Sequence, residues 1–295
     1  MTTLRPGVSV IVPFAGPQDE LEEMLRRLGR LRVGPDDELL LVDNRPVHVP
    51  PAGVLAPGVG VLHAGEVGSS WHARGAGVAA TRAEWILFID ADTAPPADLL
   101  DRYFEPLPEA DVGILAGGVH DWRTAETRCA RYVSARRKMD QEITLSYPYR
   151  PYAQTANCLV RRVAFEGIGG FLTYALSAGD ADLCWRLQEA GWRLESRPQA
   201  YVDHENRAHF YDLFRQLARH GAGLAWLEER YAGSAPGPTP RDLVRRVPHY
   251  LLAAARAGRP EEALFALVDL VCLYARDAGR LHYHRSGEHS ASPAH

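Results

Sequence analysis

The sequence predicts an α/β fold in which a Rossmann-like, mostly parallel central sheet is flanked by helices and followed by a helical extension. The apolar runs at Val8–Phe14, Glu38–Asp43 and Trp85–Ile89 are continuous rather than alternating, which indicates strands buried on both faces. The segment after the first run spaces its apolar residues by three and four, as an amphipathic helix does. Beyond His204 the pattern is helical throughout.

The first third of the chain alternates strand and helix patterns. After the strand at Val8–Phe14, Pro17 suits the first turn of a helix, where a missing N–H group costs nothing. A weaker strand is predicted at Gly58–Ala64 and a helix rich in Ala and Gly at Ser69–Thr81. Such alternation predicts parallel strands whose carboxyl ends meet at one edge of the sheet, where α/β proteins bind ligands.

The middle of the chain changes character. Val112–Val119 is predicted to be a strand, Thr124–Leu145 a single polar helix rich in arginine, and Asn157–Val160 another strand. A helix is predicted to begin near Gly179 and to end at Gly191, followed by a short strand.

The last third predicts three helices. They are expected at His209–Tyr231, Arg241–Ala257 and Glu261–Leu281, with a linker rich in Gly and Pro before the second. Their apolar faces favour ordinary packing, either on the rest of the chain or between two copies in a homodimer. Coverage of a substrate site and contact with the inner face of a membrane are the alternatives.

Composition excludes several classes of protein. Hydrophobic residues make up 46% and charged residues 24%, which is ordinary for a globular protein, and the net charge of −4 gives no basic field for nucleic acid. The four cysteines are scattered without a CxxC pair, which suits a reducing cytoplasm. We expect no signal peptide, because the N-terminal sequence lacks a charged region followed by a long apolar run. We expect no transmembrane segment, because the most apolar late run, LFALVDLVCLYA, is short and contains Asp269.

The stretch Asp90-Ala91-Asp92 places two carboxylates directly after a buried strand. Paired carboxylates at a strand end can hold a hard divalent cation and, through it, phosphate oxygens. If the chain stays extended, Asp90 and Asp92 point in one direction and Ala91 in the other. The same pattern also occurs in loops and helix caps, so its meaning depends on its neighbours.

Six short motifs follow one another between Val8 and His204. The first strand ends in VPF, the second in VDN, and a helix carries ARGAG; the later motifs are DAD, ANCLVRRVAFEGIGGF and GDADLCWRLQEAGWRL. In this order and spacing the chain resembles the family 2 glycosyltransferases of the GT-A fold. The resemblance implies a GT-A catalytic domain at 1–208, and the sequence pattern beyond it predicts a helical extension at 209–285 and a disordered tail at 286–295. Within the domain it implies a nucleotide-binding half at 1–118 and an acceptor-binding half at 119–208.

The resemblance also implies roles for the residues that bind the nucleotide. Pro13 and Phe14 would line the base pocket, Asp43 would hydrogen-bond the base or ribose, and Asn44 takes the place of the family's second acidic residue. Arg74 would reach toward the nucleotide and its phosphates. Because VPFAGPQDE lacks the family's usual YN and VDNRP lacks its DGS, we expect an atypical base pocket.

The acidic pair would bind the donor together with a metal ion. By resemblance, Asp92 would ligate Mn²⁺ or Mg²⁺, His204 would complete the metal site, and Asp90 would contact the ribose or a metal-bound water. Ala91 would lie beside the donor. Asn157 would touch the donor sugar, and a buried, turn-forming asparagine is the alternative.

By the same resemblance Asp180 would be the catalytic base. At a helix N-terminus the dipole and free N–H groups favour its ionised form, and the same geometry leaves open a role as a helix cap. Gly179 stands where the family usually has Glu. Trp71 would lie near the diphosphate, or pack at the start of its helix. Tyrosines near Tyr149 fit an acceptor-stacking role or a core role equally.

The implied function is an inverting, metal-dependent glycosyltransferase. The donor would be a nucleotide-diphosphate sugar, with a UDP-sugar favoured and GDP- and dTDP-sugars left open. The acceptor would be a hydroxyl of a natural product, a glycan or a lipid-linked molecule. A nucleotidyltransferase is the first alternative, although PFAGPQDELEE lacks the glycine-rich, lysine-containing loop expected there. A degenerate binding protein is the second, although the joint presence of all its acidic site residues argues against it.

Overall fold

The computed structural model describes residues 5–52, 55–122, 127–137, 139–172 and 177–286. Within them the chain forms two compact units. The first takes the described residues of 1–123, 137–173 and 179–205, and the second those of 124–136, 174–178 and 206–295. The domain boundaries expected from the sequence remain a prediction.

Eight strands in the described residues form one sheet. They lie in the order β3-β2-β1-β4-β7-β6-β8-β5. Only β7 and β5 run against their neighbours, so the predicted α/β fold with a mostly parallel sheet is confirmed. The strands are β1 (Val8–Phe14), β2 (Glu38–Asp43), β3 (Val59–His63), β4 (Trp85–Ile89), β5 (Thr93–Ala94), β6 (Val112–Trp122), β7 (Asn157–Arg161) and β8 (Arg193–Glu205).

The helices alternate with these strands and then follow them. The fourth and the last three belong to the second unit, and the others flank the sheet. They are α1 (Gln18–Leu28), α2 (Ser70–Ala79), α3 (Leu99–Tyr103), α4 (Arg128–Ala135), α5 (Gln141–Leu145), α6 (Arg162–Gly167), α7 (Gly179–Glu189), α8 (Phe210–Arg230), α9 (Pro240–Arg256) and α10 (Pro260–Ser286).

The core lies where the continuous apolar runs cross the sheet. Every residue of β4 is fully buried, as is the stretch Val8–Val12 of β1, so both faces of these strands are covered. The apolar stripe of α1, including Leu21, Met24 and Leu28, packs on the same core. Burying one such side chain contributes about 1.5–3 kcal/mol, so the central strands are the most strongly held part of the sheet.

Two sequence predictions about the middle of the chain were wrong in extent. The single helix expected at Thr124–Leu145 is two helices, α4 and α5; Thr124 itself lies outside the described residues. Arg137 has φ +47°, which no right-handed helix accommodates, and Asp140 caps α5 by accepting the Glu142 N–H at 3.0 Å.

The strand expected to be short after Gly191 is β8, which is 13 residues long. Its pairing with β6 is interrupted between Arg197 and Val202, and Pro198 falls in this interruption. Proline cannot donate a hydrogen bond to a neighbouring strand, so a proline in a polar stretch of sequence suggests that the strand ends before it. The full length of the strand was missed for this reason. The strand continues to Glu205 and therefore places His204 in the sheet.

Asn157, expected to touch the donor sugar, is fully buried. Its Nδ2 donates to the carbonyl oxygens of Gly118 and Ala200 at 2.8 and 2.7 Å, and its Oδ1 accepts the Tyr103 hydroxyl at 2.7 Å. The Asn157 side chain, which belongs to β7, is thus hydrogen-bonded to β6, β8 and α3. The surrounding carbonyls use both amide protons, so these contacts fit the alternative of a buried asparagine, and its contact with the donor sugar remains a prediction.

The second unit has its own small core. Tyr132 of α4 lies among Leu213, Phe265 and Cys272, and its hydroxyl donates to Asp269 at 2.7 Å. All four cysteines lie in the described residues, where each is buried and none forms a disulfide. The described helices include none long and apolar enough to cross a bilayer. The tail expected at 286–295 lies outside the described residues except for Ser286, which ends α10.

We predict that Gly117→Ala lowers the free energy of unfolding by about 3 kcal/mol, because the interior cannot accept an added methyl group. A Cβ there would lie 2.5 Å from the Ala200 carbonyl oxygen and closer still to Asn157 Nδ2 and Tyr103 Oη. Urea unfolding followed by tryptophan fluorescence measures the change. The control is Gly75→Ala in α2, where nothing lies within 4 Å of a Cβ. It should raise stability by about 0.5–1 kcal/mol, and equal losses in both variants would contradict the packing described.

Candidate active site

The acidic pair sits in a turn at the carboxyl end of β4. The Thr93 N–H donates to the Asp90 carbonyl oxygen at 3.2 Å and the Thr93 hydroxyl donates to the same oxygen at 2.7 Å. The expectation of an extended chain was therefore wrong, since the turn breaks the alternation of side chains. Ala91 packs against the core, and the two carboxylates contact different partners.

Asp90 is paired with a buried guanidinium. Arg74 Nη2 donates to Asp90 Oδ1 at 2.5 Å, and the Arg74 side chain is only 4% exposed. Its guanidinium carbon lies 5.0 Å from the centroid of the Trp71 ring. Arg74 Nε is buried and has no hydrogen-bond partner in the described residues. An unused buried N–H is costly, so this group is a donor available to an anion such as a phosphate.

Asp92 faces His204 across the pairing of β5 with β8. Thr93 is opposite His204 in this pairing, and the Glu205 N–H donates to the Asp92 carbonyl oxygen at 2.9 Å. Asp92 Oδ1 and His204 Nε2 are 3.4 Å apart, longer than a good hydrogen bond. The buried Nδ1 of His204 has no partner in the described residues.

This carboxylate and imidazole fit a cation site of two protein ligands. Neighbouring ligands of an octahedral Mg²⁺ lie about 3 Å apart, close to the separation found here. Among the described residues there is no group of three or more His, Cys, Asp or Glu arranged to hold a metal. The remaining ligands would have to come from phosphate oxygens and water, as is usual for Mg²⁺.

The expected base pocket lies at the ends of β1 and β2. Phe14 is opposite Asp43 in the sheet, with the half-buried Pro13 beside it. Asp43 is fully buried, and its two carboxylate oxygens each accept a hydrogen bond from Arg45 at 2.8 Å. Burial disfavours its charge, but the hydrogen bonds from Arg45 and His48 outweigh burial and hold the pKa of Asp43 below its ordinary value.

Arg45 is the residue of this region that the sequence did not reveal. Its guanidinium carbon lies 5.6 Å from the centroid of the Phe14 ring, and its Nη1 donates to Gln18 Oε1 at 2.8 Å. Asn44 is buried as well, and its Nδ2 donates to the carbonyl oxygens of Ala64 and Val67. The signal was the replacement of DGS by NRP after Asp43, which puts an arginine beside the acid.

Asp180 lies in the first turn of α7 and is half-buried. Desolvation by burial raises the pKa of Asp180 to about 6, with the nearby Asp90 raising it further. The Ala181 N–H, which donates to Asp180 Oδ1 at 2.9 Å, and the positive charge of Arg74 oppose this rise. The favourable effect expected from the helix terminus is present but is smaller than the effect of burial.

Asp180 follows Gly179 inside α7 and so does not occupy the capping position considered as its alternative role. The structure thus brings Arg74, Asp90 and Asp180 into one electrostatic group and pairs Asp92 with His204. It leaves Asp43 in a separate ion pair with Arg45. Such a combination of a perturbed carboxylate, a buried cation and an open acidic edge is typical of an active site.

Comparison with known proteins shows the family to which the chain belongs. The sequence profile of the family described as Glycosyltransferase like family 2 matches residues 6–223. A pre-mycofactocin glycosyltransferase of Mycobacterium tuberculosis is 28% identical over 231 residues, which are 76% of this chain and 48% of that protein. The chain thus spans about half the length of that relative. The glycosyltransferase AglE of Haloferax volcanii is 26% identical over 310 residues, covering 96% of this chain and 98% of that one.

Two solved structures share the fold. The mannosyltransferase PcManGT from Pyrobaculum calidifontis, in complex with GDP-Man and Mn²⁺, aligns with a TM-score of 0.60 and 17% identity over 96% of this chain and 88% of its own. Glucosyl-3-phosphoglycerate synthase from Mycobacterium tuberculosis, in complex with Mn²⁺, UDP and glucosyl-3-phosphoglycerate, aligns with a TM-score of 0.51 and 17% identity over 80% of this chain and 82% of its own. These matches confirm the expected GT-A fold. With a profile match over most of its length and acidic strand ends beside a buried arginine, the chain belongs to the family 2 glycosyltransferases.

Proposed function

We propose that the chain transfers a sugar from a UDP-sugar to an acceptor hydroxyl by a single displacement that inverts the anomeric centre. One observation carries the proposal. The Asp180 carboxyl, with a pKa of about 6, lies within electrostatic reach of the Arg74–Asp90 pair at the carboxyl edge of the sheet. A base and an anion-binding group thus stand together, as sugar transfer from a diphosphate requires.

The donor diphosphate would bind between Arg74 and the Asp92–His204 pair. Arg74 brings a buried guanidinium whose Nε–H has no protein acceptor in the described residues. Asp92 and His204 would hold Mn²⁺ or Mg²⁺, which when bound would neutralise charge on the leaving diphosphate. The neighbours solved with Mn²⁺ support the choice of metal. Asp90 remains beside Arg74 and would contact the ribose or a water on the metal.

Asp180 would take the proton of the acceptor hydroxyl. A base with a pKa of about 6 is mostly ionised at neutral pH and is still basic enough to accept a proton as the oxygen attacks. Asp90 is held by Arg74, which makes it a poor nucleophile toward the sugar. With a base and no free enzyme nucleophile in this group, the reaction proceeds in one step and inverts the configuration.

The base of the donor would bind near Pro13, Phe14 and Asp43. Both oxygens of Asp43 already accept hydrogen bonds from Arg45. The side of the pocket that would face the nucleotide base therefore includes the Arg45 guanidinium as well as the Asp43 carboxylate. A structural neighbour solved with UDP supports uridine, and another solved with GDP-Man makes guanosine the competitor to test. The acceptor we propose is a hydroxyl of a natural product, a glycan or a lipid-linked molecule.

Location and assembly are proposed on separate grounds. The four buried cysteines, none of which forms a disulfide in the described residues, suit a cytoplasmic protein. Helix α9 has no buried residue, and Val244, Leu251 and Leu252 on it are exposed. Such an apolar face fits a homodimer through the C-terminal helices, or peripheral contact with the inner face of a membrane. Light scattering and liposome flotation separate the two arrangements.

We predict metal-dependent release of nucleoside diphosphate from one class of donor. The full chain is incubated with UDP-, GDP- and dTDP-sugars and Mn²⁺, and the released nucleotide is measured with and without a chelator. UDP-sugar turnover that stops on chelation is the expected result. Neither binding nor turnover with any of the donors would rule out the proposed activity.

We predict that Asp92→Ala weakens UDP binding only when metal is present, because the carboxylate acts through the cation. Calorimetric titration with UDP measures the affinity in Mn²⁺ and in excess chelator. Asp98→Ala is the matched control, since Asp98 pairs with Arg102 on the surface and should leave both affinities unchanged. An equal loss for Asp92→Ala under both conditions would contradict a metal role.

We predict that Asp180→Asn cuts kcat by about a hundredfold or more while leaving UDP affinity nearly intact. In the wild type the rate should fall as the pH drops through about 6, since the base becomes protonated. Steady-state rates between pH 5 and 8 measure both effects, and an unchanged kcat would exclude Asp180 as the base.

A second acidic residue of α7 provides the contrast to Asp180. Asp182 is fully buried in an ion pair with Arg186 at 2.7 Å. Asp182→Asn should therefore lose stability, by about 3–5 kcal/mol. Asp180→Asn should fold as well as the wild type, because burial disfavours the Asp180 charge. The reverse pattern would mean that the two aspartates had been assigned the wrong roles.

A further inference from the structure

The indole of Trp71 packs against residues of the candidate active site. It lies in the first turn of α2, is 7% exposed, and has the Arg74 guanidinium carbon 5.0 Å from its centroid. The Phe171 ring, which follows the Gly169–Gly170 turn, lies 5.1 Å away between centroids. The Trp71 ring therefore contacts both Arg74, which pairs with Asp90, and the aromatic ring of Phe171.

The same indole packs on the backbone at the start of α7. A Cβ added at Gly179 would lie 2.8 Å from Cε2 of Trp71 and 3.0 Å from Cδ2 and Cζ2. Real Cβ atoms essentially never approach closer than 3.0 Å, so the indole fills the space that any side chain at this position would need. Asp180 is the next residue, and Ala178 before it has φ +63°, a conformation that alanine adopts only when its surroundings impose it.

We propose that Trp71 is a positioning residue that holds Arg74 and the first turn of α7 in a fixed arrangement, and that it is the reason for glycine at position 179. The inference rests on the proposed function, because its consequence is measured in turnover. A side chain at position 179 has no room beside the indole, so Gly179 is the packing partner of Trp71.

Removal of the Trp71 indole should affect the position of Arg74 less than the position of the first turn of α7. Arg74 has a second partner in Asp90 Oδ1, at 2.5 Å, so its place in the donor site is partly kept. The three heavy atoms nearest to a Cβ at Gly179 all belong to Trp71, so the backbone next to Asp180 loses the group packed against it on that side. Loss of Trp71 should therefore lower kcat more than it raises the KM for the donor.

A double-mutant cycle on the full chain tests the pairing. The variants are Trp71→Ala, Gly179→Ala and the double variant, assayed with the donor that the wild type turns over. We expect each single change to lower kcat by about tenfold or more, because small displacements of a catalytic group are costly, with the donor KM changed less than about threefold. In the Trp71→Ala background, Gly179→Ala should change kcat by less than about twofold, since the atoms it would strike are gone.

Two further variants make the result specific. Trp71→Phe keeps an aromatic face for Arg74 and should recover part of kcat. Trp85→Phe is the matched control, because Trp85 is a fully buried tryptophan whose ring has the Arg161 guanidinium carbon 4.3 Å from its centroid, at the opposite end of β4. It should lower the melting temperature and leave kcat unchanged. If Trp71→Ala does not fold, Trp71→Phe takes its place in the cycle.

The outcomes separate this inference from the proposed function. The melting temperature of the same variants measures the packing without any donor, and Gly179→Ala should lower it by about 3 °C or more only when Trp71 is present. Additive effects on both kcat and melting temperature would overturn the pairing. Coupled melting temperatures with unchanged kcat would overturn the positioning role. A wild type that turns over no donor, with coupled melting temperatures, would refute the proposed function and leave the packing intact.

Discussion

The buried guanidinium of Arg74 is the constraint on which the site depends. A charge almost fully removed from water must be paired, and Asp90 supplies the partner at 2.5 Å. This pair holds one member of the acidic motif against α2, while the turn after β4 directs Asp92 to His204. Two carboxylates that are neighbours in sequence are thereby given separate environments, and the charge of Arg74 also acts on Asp180.

Hydrogen bonds from one buried side chain hold strands β7, β6 and β8 together, and this fixes the positions of the groups in the site. Asn157 uses its whole side-chain amide to join β7, β6 and β8 to Tyr103 of α3. A buried amide with all its groups hydrogen-bonded fixes one arrangement of strands, since any slip would leave polar atoms unpaired. The long β8 then delivers His204 to the turn that follows β4. The most buried asparagine of the chain thus acts on the site through the sheet.

Much of the fold and part of the site could be predicted from the sequence, because they depend on patterns within short segments of the chain. Continuous apolar runs are visible in the sequence, and a parallel sheet places their carboxyl ends together, which located Asp90 and Asp92 correctly at the end of β4. The helix beginning near Gly179 was predicted from helix start and stop signals, which are also local. The break in the predicted helix at Arg137 was not visible, because a left-handed residue other than glycine carries no pattern in the sequence.

The rest depends on contacts between distant residues. Nothing in the local sequence shows that Asn157 meets Gly118 and Ala200, or that Gly179 meets an indole more than a hundred positions earlier. The pairing of Asp43 with Arg45 is local, but a nearby arginine does not by itself reveal a bidentate bond in a buried site. The direction of the Asp180 pKa shift also follows from burial, which a helix terminus in the sequence does not show.

The central claim is that the carboxyl edge of β4 holds a nucleoside diphosphate through a cation on Asp92 and His204, with Arg74 beside it. A crystal soaked with Mn²⁺ and UDP, recorded at a wavelength where manganese scatters anomalously, tests this directly. The account predicts one anomalous peak in contact with Asp92 and His204, with diphosphate oxygens on the same ion and next to the Arg74 guanidinium. A diphosphate bound away from this edge, or manganese on other residues, would contradict it.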